Sequence, residues 1–227
     1  MPQSLDFAGL GEAIGNATAV VRNNAASADL GVAVPTRPGW TMRDLVVDLG
    51  WEYLASTAPL RGDTSPTKQA VLTEAAAAPD LLQWLDDAMV DLLNALAAAA
   101  EDRQAWFHTG EAPADRQRAA RRLCHAGTLH AVDAMAARLG RTPTADEVWF
   151  SPDLARDGIE WMLEQQSVSA QLRATGSDWT VVARAEGQPD GTIVGSARAL
   201  YLALAGRGKD VQVTGDGALL DALRVSG

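Results

Sequence analysis

Two of the chain's three histidines, His125 and His130, fall in one stretch, Arg121–Asp133, read RRLCHAGTLHAVD. Imidazole is both a metal ligand and a proton carrier near neutral pH. On a helix, a spacing of five turns the two rings well apart around the axis, so they do not share one ligand. Metal-binding helices space their ligands by three or four. The residue four before His130 is Ala126, which ligates nothing. The stretch therefore reads as a metal helix with one ligand missing. A second group, Asp44, Asp48 and Glu52, recurs every four residues and shares one helix face. Three carboxylates in a row repel one another and read as a solvated face. The single cysteine, Cys124, excludes an internal disulfide framework, reads as a small buried apolar residue, and fits a reducing cytoplasm. His108, between Trp106 and Pro113, reads as a loop histidine without a special task.

The elements that position these residues follow from periodicity. Leu5, Leu10, Ile14, Ala17, Val20 and Val21 mark a first amphipathic helix within residues 3–27. After a Gly- and Pro-rich loop, Thr41 is placed to cap a second helix that runs to about Thr57. Residues 59–68 read as a polar loop. Pro79 or Asp80 opens a third helix with a stripe of Leu81, Leu82, Leu85, Met89, Leu92, Leu93 and Leu96. The fourth, from about Ala114 to Leu139, ends at Gly140. Its Arg116, Arg118, Arg121 and Arg122 read as a solvated face. Four long helices with two longer connections suit a bundle. Residues 141–150 form a turn-rich hinge. Asp153 can cap a fifth helix, Leu154–Gln165. The period then changes to short strands, Ser169–Ala174, Trp179–Ala185 and Thr192–Ser196, separated by Gly-Ser-Asp and Gln-Pro-Asp-Gly turns. A helix Ala197–Ala205, a strand Val211–Thr214 and a last helix Ala218–Arg224 complete the chain.

Four stretches resemble one family. RRLCHAGTLHAVDA is similar to the RRMAHETxxHRWDA helix of the mycothiol-dependent maleylpyruvate isomerase family, and Gly39–Trp51 to its GWTVRDLVAHLG helix. Ser151–Leu163 resembles its pxxLAxDGxDExL connector, and Ala199–Arg207 with Val211–Leu223 its LLLLLWGR…VxVxGDxxLL ending. The resemblance implies an α+β chain: a DinB-like four-helix bundle over about 1–142 and a small sterol-carrier-protein-like α/β domain over about 150–227. It implies that a zinc ion binds the thiolate of mycothiol, which then adds to a small electrophile in an isomerase or thiol transferase reaction. The family's ligands are His, Glu and His; here those slots hold Asp48, Ala126 and His130. Two ligands hold zinc poorly, so the slots imply a metal-free site in which Asp48 and His130 face each other as an acid–base pair. Arg207 matches an arginine that reaches toward substrate, although an arginine there also serves to satisfy helix carbonyls. Trp51, Glu52 and His125 join the substrate-binding set, with Glu52 an alternative ligand and His125 a structural histidine. Asp133 reads as a tie between helices. A metal-free biosynthetic isomerase or cyclase in secondary metabolism, and a non-catalytic small-molecule binding protein, are the alternative functions.

Composition narrows the partners. The chain has 227 residues, 47% hydrophobic and 21% charged, with a net charge of −10. That balance disfavours a nucleic-acid track or an anionic membrane surface. Neither a signal peptide nor an apolar run long enough to span a bilayer is present, so a cytoplasmic monomer or homodimer acting on a small molecule is expected.

Overall fold

A computed structural model describes residues 5–102, 104–105, 107, 113–164, 169–175, 178–185 and 188–224. Trp106 and His108 lie outside the described residues. The chain divides into two compact units, Asp6–Arg141 and, in the main, Thr142–Gly227.

The first unit is helical: α1 (Phe7–Ser27), α2 (Met42–Arg61), α3 (Lys68–Ala77), α4 (Leu81–Ala98) and α5 (Arg116–Leu139). Each helix starts at a side chain that accepts from the otherwise unpaired amides of the first turn. Asp6 caps α1, Thr67 caps α3, Asp80 caps α4 and Asp115 caps α5. Thr41 and Asp44 form a reciprocal capping box on α2. Gly62 and Gly140 end α2 and α5 in left-handed geometry, at φ 94° and 69°. Helix α1 packs chiefly on α5, and α2 packs on α4 and α5. Leu10, Ile14, Leu45, Leu49, Leu85, Leu92 and Leu123 are fully buried between them, each worth about 1.5–3 kcal/mol of transfer free energy. A polar contact crosses this core. The Thr18 hydroxyl donates to the Ile14 carbonyl at 2.9 Å, so at 2.8 Å it accepts from the Tyr53 phenol. Burial pushes the Tyr53 phenol well above its ordinary range.

Four features of this unit differ from the expectations of the sequence. α3 lies where only a loop and an unassigned stretch were expected. Its buried stripe is Val71 and Ala75 alone, too thin to stand out against neighbouring alanines. α2 continues through Pro59 to Arg61, four residues past its expected end. Arg122 is not on a solvated face: it is 13% exposed and bonds Glu52 at 2.7 Å and Ser56 at 2.7 Å. Of the α4 stripe, Leu82, Met89 and Leu93 are half-buried, and Ala88 and Ala95 fill the core instead.

Gly50 decides the approach of α2 to α4. A Cβ built there would stand 2.2 Å from Cζ3 of Trp84, whose Nε1 is held by Glu74 at 2.7 Å. Gly50→Ala is therefore expected to destabilise by about 1–3 kcal/mol through overpacking, despite the roughly 1 kcal/mol that alanine gains over glycine in a helix. Urea unfolding measures it; a stabilised variant would show that the indole simply moves aside.

The second unit holds α6 (Pro152–Glu164), β1 (Ser169–Thr175), β2 (Asp178–Ala185), β3 (Gln188–Gly195), α7 (Ala197–Leu204), β4 (Gln212–Gly215) and α8 (Leu219–Leu223). The four strands run antiparallel in chain order. Ser151, rather than Asp153, takes the first-turn amide of α6, from Leu154 at 3.1 Å. Gln188–Gly191 is not a turn but the start of β3. Pro189 is tolerated because the register shifts beside it and because β4 pairs only from Gly191 onward. α7 packs on α6 and on β2 and β3, with Tyr201 fully buried edge-on to Phe150 at 5.5 Å.

Candidate functional site

His130 sits on α5 with its side chain 5% exposed, and Asp48 sits on α2 with its side chain 13% exposed. The registers that bury Leu45 and Leu49 on one helix and Ala134 and Ala137 on the other turn these two side chains toward each other. His130 Nε2 lies 3.1 Å from Asp48 Oδ2, and His130 Nδ1 lies 2.8 Å from the Ala126 carbonyl one turn back. A carbonyl and a carboxylate both only accept.

Lys68, the first residue of α3, completes the arrangement. Its Nζ donates to Asp48 Oδ1 at 2.7 Å and lies 4.5 Å from the centre of the Trp51 ring. Burial raises the Asp48 pKa, but the hydrogen bonds and charges of His130 and Lys68 outweigh it and hold the carboxyl at about 2, below its ordinary 3.8. The sign of the pH effect follows. A depressed carboxyl stabilises the fold above pH 3.8, and that contribution is lost as pH falls toward about 2. A depression of that size corresponds to about 2 kcal/mol. Wild-type protein should therefore exceed Asp48→Asn by about that amount in urea unfolding at pH 6, with the gap closing near pH 2. A gap independent of pH would show that Asp48 does not carry it.

Asp48 also forms part of the wall of a cleft of about 390 Å³, with Trp40, Arg43, Val47, Trp51, Lys68 and Leu72 among the lining residues. Two indoles and two aliphatic side chains give it an apolar body; Arg43 and Lys68 stand on it beside the carboxylates of Asp44 and Asp48. His130 stands behind Asp48 rather than on this wall. Trp51 thus joins the Asp48–His130 pair, whereas Glu52 and His125 do not line the cleft. Glu52 is 16% exposed against Arg122, and His125 is 2% exposed within α5. Arg207 belongs to the second unit, where it is 7% exposed and its Nη1 donates to the Ala205 carbonyl at 2.6 Å, beside Gly206 at φ 71°. Asp133 does tie elements together: it joins α5 to the loop before α2 through Thr36 and Arg37. Lys68 is the participant that sequence reasoning misses. The signal for it is Thr67, a good N-cap followed by Val71 and Ala75.

The residues in the slots that the resemblance assigns to metal ligands do not fit a metal ion. Among the described residues no three His, Cys, Asp or Glu side chains cluster as ligands. The two present are bonded to each other, and an ammonium already occupies the second carboxylate oxygen. Among the described residues no helix is long and apolar enough to cross a membrane.

A helical bundle followed by a small antiparallel sheet packed with helices is the fold of two solved structures. One is a mycothiol-dependent maleylpyruvate isomerase, at 17% identity, and the other is a histidine-to-alanine mutant of that enzyme, at 18%. In both cases the TM-score is 0.69, over 92% of this chain and 93% of the other. Residues 12–135 match the model of the mycothiol maleylpyruvate isomerase N-terminal domain, and the chain belongs to that family. Among curated proteins none matches in sequence.

Proposed function

We propose that this chain acts on a small electrophilic molecule held in the cleft beside Asp48, in an isomerase-type reaction that uses no bound metal. The observation that carries the proposal is the direct contact of the two surviving ligand slots, Asp48 and His130, at 3.1 Å. A histidine pointing at a carboxylate is a proton couple, and Asp48 places it on the cleft wall. In this reading Asp48, oriented by His130, takes a proton from one carbon of the ligand and returns it to another, and Trp40 and Trp51 hold the ligand's apolar body.

The test is deuterium exchange from solvent into conjugated keto acids and enones, followed by proton NMR with chelator-treated protein. Exchange should fall by about 10²–10⁴-fold in His130→Ala; an undiminished rate in a folded variant would sink the proposal. A second reading keeps the family's thiol, because family membership favours mycothiol as cosubstrate. Isomerisation of maleylpyruvate that needs mycothiol and is abolished by chelator would favour that reading over the metal-free one.

A further inference from the structure

Lys68 holds a place that neither helix chemistry nor packing asks for. It opens α3, where the positive end of the helix dipole disfavours a cation by about 0.3–1 kcal/mol. Its side chain is 50% exposed and has the freedom to point into water. Instead the ammonium is fixed from two sides, by Asp48 Oδ1 at 2.7 Å and by the face of Trp51 at 4.5 Å. Asp48 therefore has a partner on each oxygen, the ammonium on Oδ1 and the histidine ring on Oδ2. The ammonium thus sits on the carboxylate oxygen that a metal ion would need, supplied by a side chain alone. An ammonium has three donors and no acceptor; one is used on Asp48, and the residue lines the cleft.

We propose that Lys68 is the resident cation of this site, replacing the metal: it excludes divalent ions from Asp48 and His130 and presents its remaining donors to an oxygen of the ligand. This rests on the metal-free reading above. A metal ion bound to Asp48 and His130 would have to displace the ammonium from Oδ1 or sit against its charge. Removing the charge should open the site to metal, and reversing it should add a third ligand, since the side chain at 68 already reaches Asp48.

The experiment is a titration of chelator-treated protein with Co²⁺, read by visible absorption, for the unmodified chain, Lys68→Met and Lys68→Glu. Circular dichroism checks folding. The unmodified chain should show no ligand-field bands. Lys68→Glu should bind one Co²⁺ per chain, at least about tenfold more tightly than the unmodified chain, and Lys68→Met should gain a smaller affinity. A folded Lys68→Glu that responds like the unmodified chain overturns the role of Lys68 and leaves the metal-free reading standing. Should Lys68→Glu fail to fold, Lys68→Met decides, and an unchanged response overturns the proposal. Tight Co²⁺ binding by the unmodified chain overturns the metal-free reading and this inference with it.

Discussion

Zinc at one ion per chain is the expected result for the double substitution Asp48→His with Ala126→Glu, against little or none in the unmodified protein. The reason is geometric. Ala126 lies one turn before His130 on α5, and its carbonyl is already within 2.8 Å of that ring. A glutamate there would share the face that His130 uses. His130 and position 48 are already in contact at 3.1 Å. The two substitutions rebuild a His, Glu, His set, and three protein ligands are the ordinary minimum of a catalytic zinc site. They also release Lys68, whose hold on the site is the Asp48 carboxylate; its half-exposed side chain can then turn to water. Ala126→Glu alone should gain less, because Asp48 stays engaged with Lys68. Elemental analysis of protein dialysed against zinc and then against buffer reads the outcome. Stoichiometric zinc in the unmodified chain, or none in a folded double variant, would contradict the assignment of these slots.

Much of this is legible in the sequence alone. Thr41, Asp80 and Gly140 announce their helix ends because capping is chemistry of one residue and its near neighbours. The change to period two after the sixth helix announces the sheet for the same local reason. What escapes depends on partners far away in the chain. Arg122 looks solvated because its carboxylate, Glu52, stands 70 residues earlier. Glu52 and Asp48 lie on one face of α2, yet one goes to an arginine and the other to a lysine and a histidine. Spacing shows that two carboxylates share a face; it is silent on which neighbouring helix brings the cation. Lys68 escapes for both reasons, since its helix has a thin apolar stripe and its partner is 20 residues away.

Loss of Asp133 should be the most damaging single change near the site. Its side chain is 0% exposed and accepts from Thr36 Oγ1 at 2.6 Å and from Arg37 Nε at 2.8 Å. Arg37 in turn lies 4.7 Å from the centre of the Trp40 ring, and Trp40 lines the cleft. One carboxylate on α5, three residues past His130, thus anchors the loop that supplies a cleft wall. Removing it leaves the Arg37 guanidinium, 17% exposed, without that counter-charge. Breaking a buried pair from one side costs about 3–5 kcal/mol, because the remaining charge stays desolvated. Asp133→Ala is therefore expected to lose about that much in urea unfolding, while Asp133→Asn keeps an acceptor for Thr36 and loses less. The double variant Arg37→Ala with Asp133→Ala should be no worse than Asp133→Ala alone, since no charge is then stranded. Losses that simply add, or an Asp133→Ala variant within about 1 kcal/mol of the unmodified chain, would mean that the loop is held by its backbone bonds, such as Met42 N to the Val32 carbonyl at 2.9 Å, and not by this pair.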